Sequence, residues 1–592
     1  MDLLDRYLPR TEFESYEDFY NNFSVNVPEN FNFAYDVIDT LAKERGGERA
    51  LVWCDERGAE AFFTYAEMKT LSDKAANVLC NAGIGKGDPV MLILKRRWEY
   101  WPVLLALHKL EAVAIPATHL LTTKDIVYRC KAADIAGIVC VDDPDLICRV
   151  NEAEAILKKT ASENPCYLRF KAFVRSVHNP KDANPVKQSI ELFVARSANN
   201  LTATVPETML PWIDFSPLME KALPEFKRLE MKTNNNDTML LYFTSGTTGM
   251  PKMVSLNFAY PLGHIATAKY WHQLTPESLH LTVADTGWAK AAWGKIYGQW
   301  LVGAAVFVYD YDRFVPSAML EIISKYRLTS FCAPPTVYRF FVKEDLAKYD
   351  FSALKICTVA GEPLNPEIFE RFLAGTGLKL RECYGQTELT VTLCTWPWLE
   401  PKPGSVGKPA PGYDIDLVRD DGTSCATGEE GQIVIRTDRR KPLGMFGGYF
   451  RDEALTESVW SSNIYQTGDI AWRDEDGYYW FVGRLDDVIK SSGYRIGPFE
   501  VESVLMEHPA VLECAVTGVP DPDRGTAVKA TVVLAKGHTA SDELKLELQS
   551  HAKRSTAPYK YPRIVEFVKE LPKTISGKIR RVQIREEGNK EG

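Results

Sequence analysis

Met239-Leu240-Leu241-Tyr242-Phe243-Thr244-Ser245-Gly246-Thr247-Thr248-Gly249-Met250-Pro251-Lys252 is the stretch on which the reading of this chain turns. It opens with an apolar run, Met239 to Phe243, in the pattern of a strand buried on both faces. The run feeds a turn rich in hydroxyls and glycines and closed by a lysine. Glycines let backbone N–H groups approach an anion, hydroxyls add donors and the lysine adds positive charge, so the turn suits a polyphosphate. From Gly246 to Lys252 the spacing is not the G-x-x-x-x-G-K-[ST] of a Walker A loop. An ordinary Ser/Thr/Gly loop before a strand carries the same residue types, and the rest of the chain has to separate the two.

Outward from this run, strand-like and helix-like segments alternate, which favours an α/β class with largely parallel sheets. Residues 88–94 read as a strand, 101–110 as a helix and 136–141 as another strand. A strand over 354–359 leads into Ala360-Gly361-Glu362-Pro363-Leu364, after which Asn365 caps a helix that Pro366 opens. A strand over 378–383 runs into Tyr384-Gly385-Gln386-Thr387-Glu388. Two strands thus end in polar, glycine-bearing loops, where open α/β sheets bind ligands. Between about 165 and 235 the pattern blurs, and part of it reads as a surface insertion of no assigned function.

At 592 residues the chain exceeds one core and divides into two or more domains. The expected boundary separates residues 1–485 from 486–592, the latter a small α+β unit. In it a helix from Pro498 ends at His508-Pro509, strands cover 512–516 and 527–534, and Ser541 caps an amphipathic helix. Its 17 Lys+Arg against 16 Asp+Glu leave it nearly neutral, while the whole chain carries −9. A polyanion meets less repulsion there. The acidic balance argues against a nucleic-acid binder. Twelve cysteines are scattered singly, with no C-x-x-C pair and no zinc spacing, and read as reduced thiols of a cytoplasmic protein. The N-terminal residues lack signal-peptide features, and no apolar run is long enough for a membrane span.

Further strings follow in order: Asp285-Thr286-Gly287-Trp288-Ala289-Lys290, Cys332-Ala333-Pro334-Pro335, Tyr465-Gln466-Thr467-Gly468-Asp469, Gly483-Arg484-Leu485-Asp486-Asp487-Val488-Ile489-Lys490-Ser491-Ser492-Gly493-Tyr494-Arg495, Thr556-Ala557-Pro558-Tyr559-Lys560-Tyr561 and Leu571-Pro572-Lys573-Thr574-Ile575-Ser576-Gly577-Lys578. With these the chain resembles the adenylate-forming (AMP-binding) superfamily of acyl-CoA synthetases, adenylation domains and luciferases, over nearly its whole length except about 165–215. It is most similar to the medium-chain acyl-CoA synthetases, including forms acting on short or branched acids. The resemblance implies a large N-terminal domain of parallel and mixed sheets flanked by helices, a β-barrel-like subdomain, and a small mobile C-terminal domain. It also implies an acid–thiol ligase using ATP, Mg²⁺ and coenzyme A.

A carboxylate cannot acylate a thiol directly near neutral pH, because its leaving group would be oxide. Such enzymes first place AMP on the acid with loss of pyrophosphate, and the CoA thiol then expels AMP. Catalysis rests on positioning and fixed cations rather than on a protein nucleophile. The resemblance implies that Thr244, Ser245, Gly246, Thr247, Thr248, Gly249 and Lys252 hold the β- and γ-phosphates, and that Glu388, with or without Thr244, binds Mg²⁺. Gly361, Glu362 and Pro363 line the adenine, Tyr384 stacks on it within the Tyr384-Gly385-Gln386 turn, Glu382 accepts from its amino group, and Thr387 reaches the α-phosphate. Asp469 takes both ribose hydroxyls, Arg484 adds a ribose contact and Arg495 a phosphate contact.

Lys578 is implied to pair the charge that develops in adenylate formation. Asp486 is the hinge about which residues 487–592 rotate, withdrawing Lys578 and bringing Gly493 to the adenylate. Ser492, Gly493, Tyr494 and Arg524 then contact CoA, with Lys553 and Arg554 as candidates for its phosphates. Trp288, Lys290, Trp293 and Gly294 line the acyl pocket. Trp271 either shortens that pocket or packs in the core. The expected substrate is a short- to medium-chain, linear or branched, saturated acid. Competing readings are an enzyme loading a carrier-protein phosphopantetheine, an aryl-CoA ligase, a luciferase-like oxygenase and a silent nucleotide-binding regulator. The expected partners are a small carboxylic acid, ATP and CoA, with a homodimer left open.

Overall fold

The computed structural model describes residues 3–159, 168–178, 184–189, 192, 209–228, 233–244, 250–491, 494–521, 525–557, 559–573 and 579–588, with backbone alone at 494, 495, 525 and 588. Two sheets build the larger part. In the first the spatial order is Gly448–Tyr449, Lys252–Asn257, Thr238–Thr244, Val113–Pro116, Pro89–Ile93, Gly137–Val141, Phe170–Val174 and Trp212–Asp214. All pairs are parallel except those made by Lys252–Asn257. The helix Tyr100–Lys109 is buried at every position.

The second sheet carries a parallel core in the order Arg49–Asp55, Ala305–Asp310, Leu279–Thr282, Ser330–Ala333, Ile356–Ala360 and Leu380–Tyr384, edged by Glu60–Thr64. Short antiparallel strands at Leu393–Cys394 and Ser405–Pro409 then hand the sheet over to an antiparallel set, Tyr479–Arg484, Ile464–Arg473, Gly431–Arg436 and Asp414–Val418. This set closes over a core of its own that includes Leu393, Val406, Leu417, Ile433 and Ala471, which answers to the expected barrel-like part.

Local signals are obeyed closely. Asn365 Oδ1 accepts from Glu367 N at 2.7 Å, Pro366 opens the helix Pro366–Thr376, and Gly377 ends it at φ 73°. The blurred region departs from expectation. Phe170–Val174 is a fully buried strand and Trp212–Asp214 extends the same sheet, so these parts are framework rather than insertion. Lys171 sits inside the buried strand, with Nζ 3.0 Å from Asn151 Oδ1 and an ion pair to Glu154. A buried lysine interrupts the apolar run that would have announced the strand.

The C-terminal residues pack on a separate core of Ile489, Ile496, Val501, Leu505, Val516, Val528, Val532 and Leu548 among others. Val511–Asp521 pairs antiparallel with Gly525–Leu534, which pairs in parallel with Ile564–Val568. The helix Asp542–Ser555 is capped by Ser541 Oγ, which accepts from Leu544 N at 3.1 Å. This unit meets the larger part where a Cβ on Gly497 would stand 2.5 Å from Val482 O, and where Asn365 Nδ2 donates to Ser503 O at 3.2 Å. Among the described residues no helix is long and apolar enough to cross a membrane.

Candidate active site

Ile356–Ala360 and Leu380–Tyr384 lie parallel and adjacent, so their C-terminal ends deliver two polar loops to one place. In the first loop Gly361 has φ 104°, a conformation other residues adopt only with strain. Glu362 Oε2 accepts from Thr336 Oγ1 at 2.8 Å. Glu382 lies under both loops: its Oε1 accepts from Leu364 N at 3.0 Å, while its buried Oε2 has no partner. Burial pushes this carboxyl up to about 8. A buried acceptor lacking a donor is what an exocyclic amino group would complete.

The second loop is organised by the antiparallel set. Asp469 stands directly opposite Arg484 across two paired strands. Its Oδ2 accepts from Tyr384 Oη and from Gln386 Nε2, both at 2.7 Å. Gln386 Nε2 also donates to Thr467 O at 2.8 Å, and Tyr465 Oη donates to Gln386 Oε1 at 2.9 Å. Burial works against the charge of Arg484, yet Asp469 and Asp486 outweigh it and hold its proton. The structure therefore brings Tyr384, Gln386, Asp469 and Arg484 together from segments some eighty residues apart.

A third wall comes from the first sheet. Thr244 and Lys252 face each other in register at the ends of their two strands. Lys252 Nζ is 5.2 Å from the centre of the Tyr449 ring, and Tyr449 Oη donates to Glu388 Oε1 at 2.8 Å. Burial raises the Glu388 carboxyl above its ordinary range, with the Tyr449 hydroxyl and Lys252 pulling the other way. No cluster of three or more His, Cys, Asp or Glu able to hold a metal occurs among the described residues. One carboxylate plus a hydroxyl fits a Mg²⁺ that keeps its waters and is carried in on phosphates.

The expected acyl-pocket residues divide. Lys290 Nζ donates to Ala360 O at 2.7 Å, beside Gly361. Trp293 lies against the second loop, because a Cβ on Gly385 would stand 2.4 Å from its Cη2. Gly294 is confined in the same way, its added Cβ falling 2.0 Å from Thr282 Oγ1. Trp288 is half-buried nearby. Trp271 sits behind the strand Leu380–Tyr384, fully buried, with Nε1 donating to Arg381 O at 3.1 Å, which is how a core tryptophan is satisfied.

Thr387 is half-buried in the second loop, and Pro363 lies beside Glu362. Lys553 and Arg554 are exposed at the end of their helix, the Lys553 ammonium 5.6 Å from the Tyr561 ring. Asp486 Oδ1 accepts from Arg484 Nε at 3.1 Å. Tyr494 and Arg495 lie on a strand paired with Ser491 and Lys490. Ser245, Gly246, Thr247, Thr248, Gly249, Ser492, Gly493, Arg524 and Lys578 lie outside the described residues. Sequence reasoning missed the hydroxyls of Tyr449, Tyr465 and Thr336. Tyr465 had a signal, since it opens the Tyr-Gln-Thr-Gly-Asp string; Tyr449 and Thr336 had none.

Chemically the arrangement offers a carboxylate held by two donors and suited to a vicinal diol, an unfilled buried acceptor, and a carboxylate linked through Tyr449 to the lysine that opens the strand Lys252–Asn257. Comparison with known proteins places the chain in context. The profile of the AMP-binding enzyme family matches residues 38–450, and that of the AMP-binding enzyme C-terminal domain matches 500–578. The acyl-coenzyme A synthetase ACSM3, mitochondrial, of Homo sapiens is 40% identical over 583 residues, covering 97% of this chain and 92% of the relative. An anthranilate CoA ligase, AuaEII, solved with anthranoyl-AMP, superposes with a TM-score of 0.78 at 25% identity over 95% of this chain and 98% of the ligase. An acyl-CoA synthetase of Brucella canis does so with a TM-score of 0.68 at 29% identity, covering 97% and 99% respectively.

Proposed function

The chain belongs to the AMP-binding enzyme family, and from that premise we propose that it is an ATP-dependent, AMP-forming acid–CoA ligase in which the cluster around Asp469, Glu382 and Glu388 is the nucleotide site. The single observation that carries this assignment is the convergence of Tyr384 and Gln386 on one oxygen of Asp469, which leaves a buried carboxylate poised between two loops. Asp469 takes the ribose hydroxyls, with Arg484 beside it. Glu382, ionised by this contact against the push of burial, takes the adenine amino group on Oε2. Lys252 and residues 244–249 hold the β- and γ-phosphates. Glu388, with Thr244, holds Mg²⁺, which when bound neutralises phosphate charge. Metal binding favours the ionised carboxylate, against the upward push of burial.

The acid's carboxylate attacks the α-phosphorus with loss of pyrophosphate, and the CoA thiol then attacks the acyl carbon with loss of AMP. Thr387 orients the α-phosphate and Lys578 pairs the charge developing in the first step. The separate core of the C-terminal residues, which begins at Ile489, supports a boundary at 485/486, with Asp486 as the pivot. Arg495, Ser492, Gly493, Tyr494, Arg524, Lys553 and Arg554 serve the second step.

Lys290, Trp288, Trp293 and Gly294 bound the acyl pocket. Because an apolar pocket separates acids by only about 1–3 kcal/mol per methylene, several short- to medium-chain acids react. A small aryl acid is the second reading, favoured by the flat indole of Trp293 against Gly385. The scattered cysteines, none in a disulfide among the described residues, favour the cytoplasm, whereas the ACSM3 relative is named mitochondrial; fractionation of tagged protein decides. Sedimentation separates one chain from a homodimer. Acid-dependent ATP–pyrophosphate exchange tests the assignment, and exchange that ignores the acid would sink it.

A further inference from the structure

Two arginines of the last helix, Arg581–Gly588, reach back to the pivot. Arg585 Nη1 donates to the carbonyl oxygen of Asp486 at 2.8 Å and to Asp487 Oδ1 at 2.9 Å. Arg581 Nη2 donates to both oxygens of Glu502, at 2.8 and 2.7 Å, and its Nη1 lies 3.9 Å from Asp487 Oδ2. Glu502 is buried and its Oε1 also accepts from Val516 N at 2.8 Å, so this anchor belongs to the framework of the C-terminal unit. Just ahead of the helix, Lys573 and Ile579 form an antiparallel bridge and Arg580 N donates to Pro572 O at 2.8 Å. That bridge is the base of the segment containing Lys578, three residues before Arg581 in the sequence.

On the other side of the same residue, the Asp486 carboxylate accepts from Arg484 Nε at 3.1 Å. The two holds therefore fall on either side of one Cα. The side chain is tied to a strand of the larger part, and the carbonyl is tied to the last helix. A rotation about the Cα–C bond of Asp486 carries its carbonyl oxygen along with residue 487 and everything after it. Both bonds of Arg585 survive that rotation, and so does the bond from Arg484 to the side chain. Rotation about the N–Cα bond of Asp487 would instead pull Arg585 off the Asp486 carbonyl, and rotation about the Cα–C bond of Asp487 or at Val488 would pull it off both acceptors.

We propose that Arg585, backed by Arg581, is a positioning residue that fastens the Asp486–Asp487 peptide to the base of the Lys578 segment and so confines the swing of the C-terminal unit to one backbone bond. This inference rests on the two-step reading above. Arg585 does not touch the reacting groups; it fixes where Lys578 arrives relative to Asp469. In the two-step reading the thioester step draws on residues 490–495 rather than on Lys578, and so depends less on this fastening.

The test measures the two half-reactions separately for the wild type, Arg585→Ala, Arg585→Lys and Asp487→Asn. Acid-dependent ATP–pyrophosphate exchange reports the first step, and thioester formation from supplied acyl-adenylate and CoA reports the second. Arg585→Ala should lower the kcat of exchange about tenfold with KM for ATP within about twofold, as expected for loss of one transition-state arrangement rather than of binding. The thioester step should stay within about twofold, which also shows that the variant is folded. Arg585→Lys reaches one acceptor at a time and should restore exchange in part. Asp487→Asn combined with Arg585→Ala should be no worse than Arg585→Ala alone, because the two groups act as one. Unchanged exchange in Arg585→Ala, or equal loss in both half-reactions with no recovery in Arg585→Lys, would overturn the proposal. A wild type without acid-dependent exchange would instead remove the two-step reading on which it stands.

Discussion

Replacing Asp469 by Asn changes one oxygen to an NH₂ group and removes a charge from a residue that is only 6% exposed. The carboxylate oxygen now accepts from Tyr384 Oη and Gln386 Nε2, both at 2.7 Å. The remaining amide oxygen of Asn can take over those contacts, so neither donor is stranded and the fold should hold. What weakens is the strength of each bond. Hydrogen bonds to a charged group contribute about 1.5–3 kcal/mol and those between neutral groups about 0.5–1.5. The Asn NH₂ can only donate, so two ribose hydroxyls that donate to the carboxylate must accept instead, and exchanging two charged bonds for two neutral ones costs about 2 kcal/mol, or about 30-fold in affinity. Asp469→Asn should therefore bind ATP and AMP about 30-fold more weakly, while its Tm falls by only a few degrees because the Tyr384 and Gln386 bonds weaken but are kept. Asp469→Ala is the contrast: it strands the buried Tyr384 hydroxyl, and about 1–3 kcal/mol of stability should be lost as well. Isothermal titration with ATP and AMP, beside calorimetric unfolding, separates the two effects. ATP affinity of Asp469→Asn within twofold of the wild type would refute the ribose assignment.

Other predictions follow from the same geometry. Gly385→Ala puts a methyl 2.4 Å from Trp293 Cη2 and 2.5 Å from the fixed carbonyl of Thr390, so stability should fall by about 1–3 kcal/mol and the order of preferred acids should change; an unaltered melting curve and acid panel would count against the contact. Glu382 is pushed from an ordinary 4.5 up to about 8, so between those pH values the unfolded chain has lost a proton that the folded one keeps, and stability falls as pH rises. Glu382→Gln removes that penalty, of the order of a few kcal/mol, and its gain in Tm over the wild type should grow from pH 5 to pH 8; a constant difference would show that the carboxyl is not held neutral. Lys578→Ala should cut acid-dependent exchange about 10²–10³-fold yet largely spare thioester formation from supplied acyl-adenylate, and parallel losses in the two assays would remove Lys578 from its role.

Much of the site was legible because its residues sit at strand ends that announce themselves. The apolar run into Thr244, the Asn365-Pro366 helix start and the strand ending at Tyr384 are local signals, and each lies where local chemistry puts it. The contacts that assemble the site are not local. Tyr449 meets Glu388 from 61 residues away and Tyr465 meets Gln386 from 79, through hydroxyls that no spacing rule relates. The edge of the first sheet was hidden for a different reason: Lys171 is buried and satisfied by side chains of a helix, so the strand reads as polar until its partners are in place. Trp271 shows the limit of composition, since a large buried indole whose N–H ends on the Arg381 carbonyl serves a pocket wall and a core equally well.

The most direct test of the account is a balance sheet of products. Purified protein is given ATP, Mg²⁺, CoA and each acid from acetate to dodecanoate, with isobutyrate, 2-methylbutyrate and benzoate, and the nucleotide, pyrophosphate and thioester are quantified together. For every acid that reacts, AMP, pyrophosphate and acyl-CoA should appear in equal amounts, and nothing should be consumed without acid. Release of ADP and phosphate in place of AMP and pyrophosphate, or ATP consumption indifferent to the acid, would contradict it.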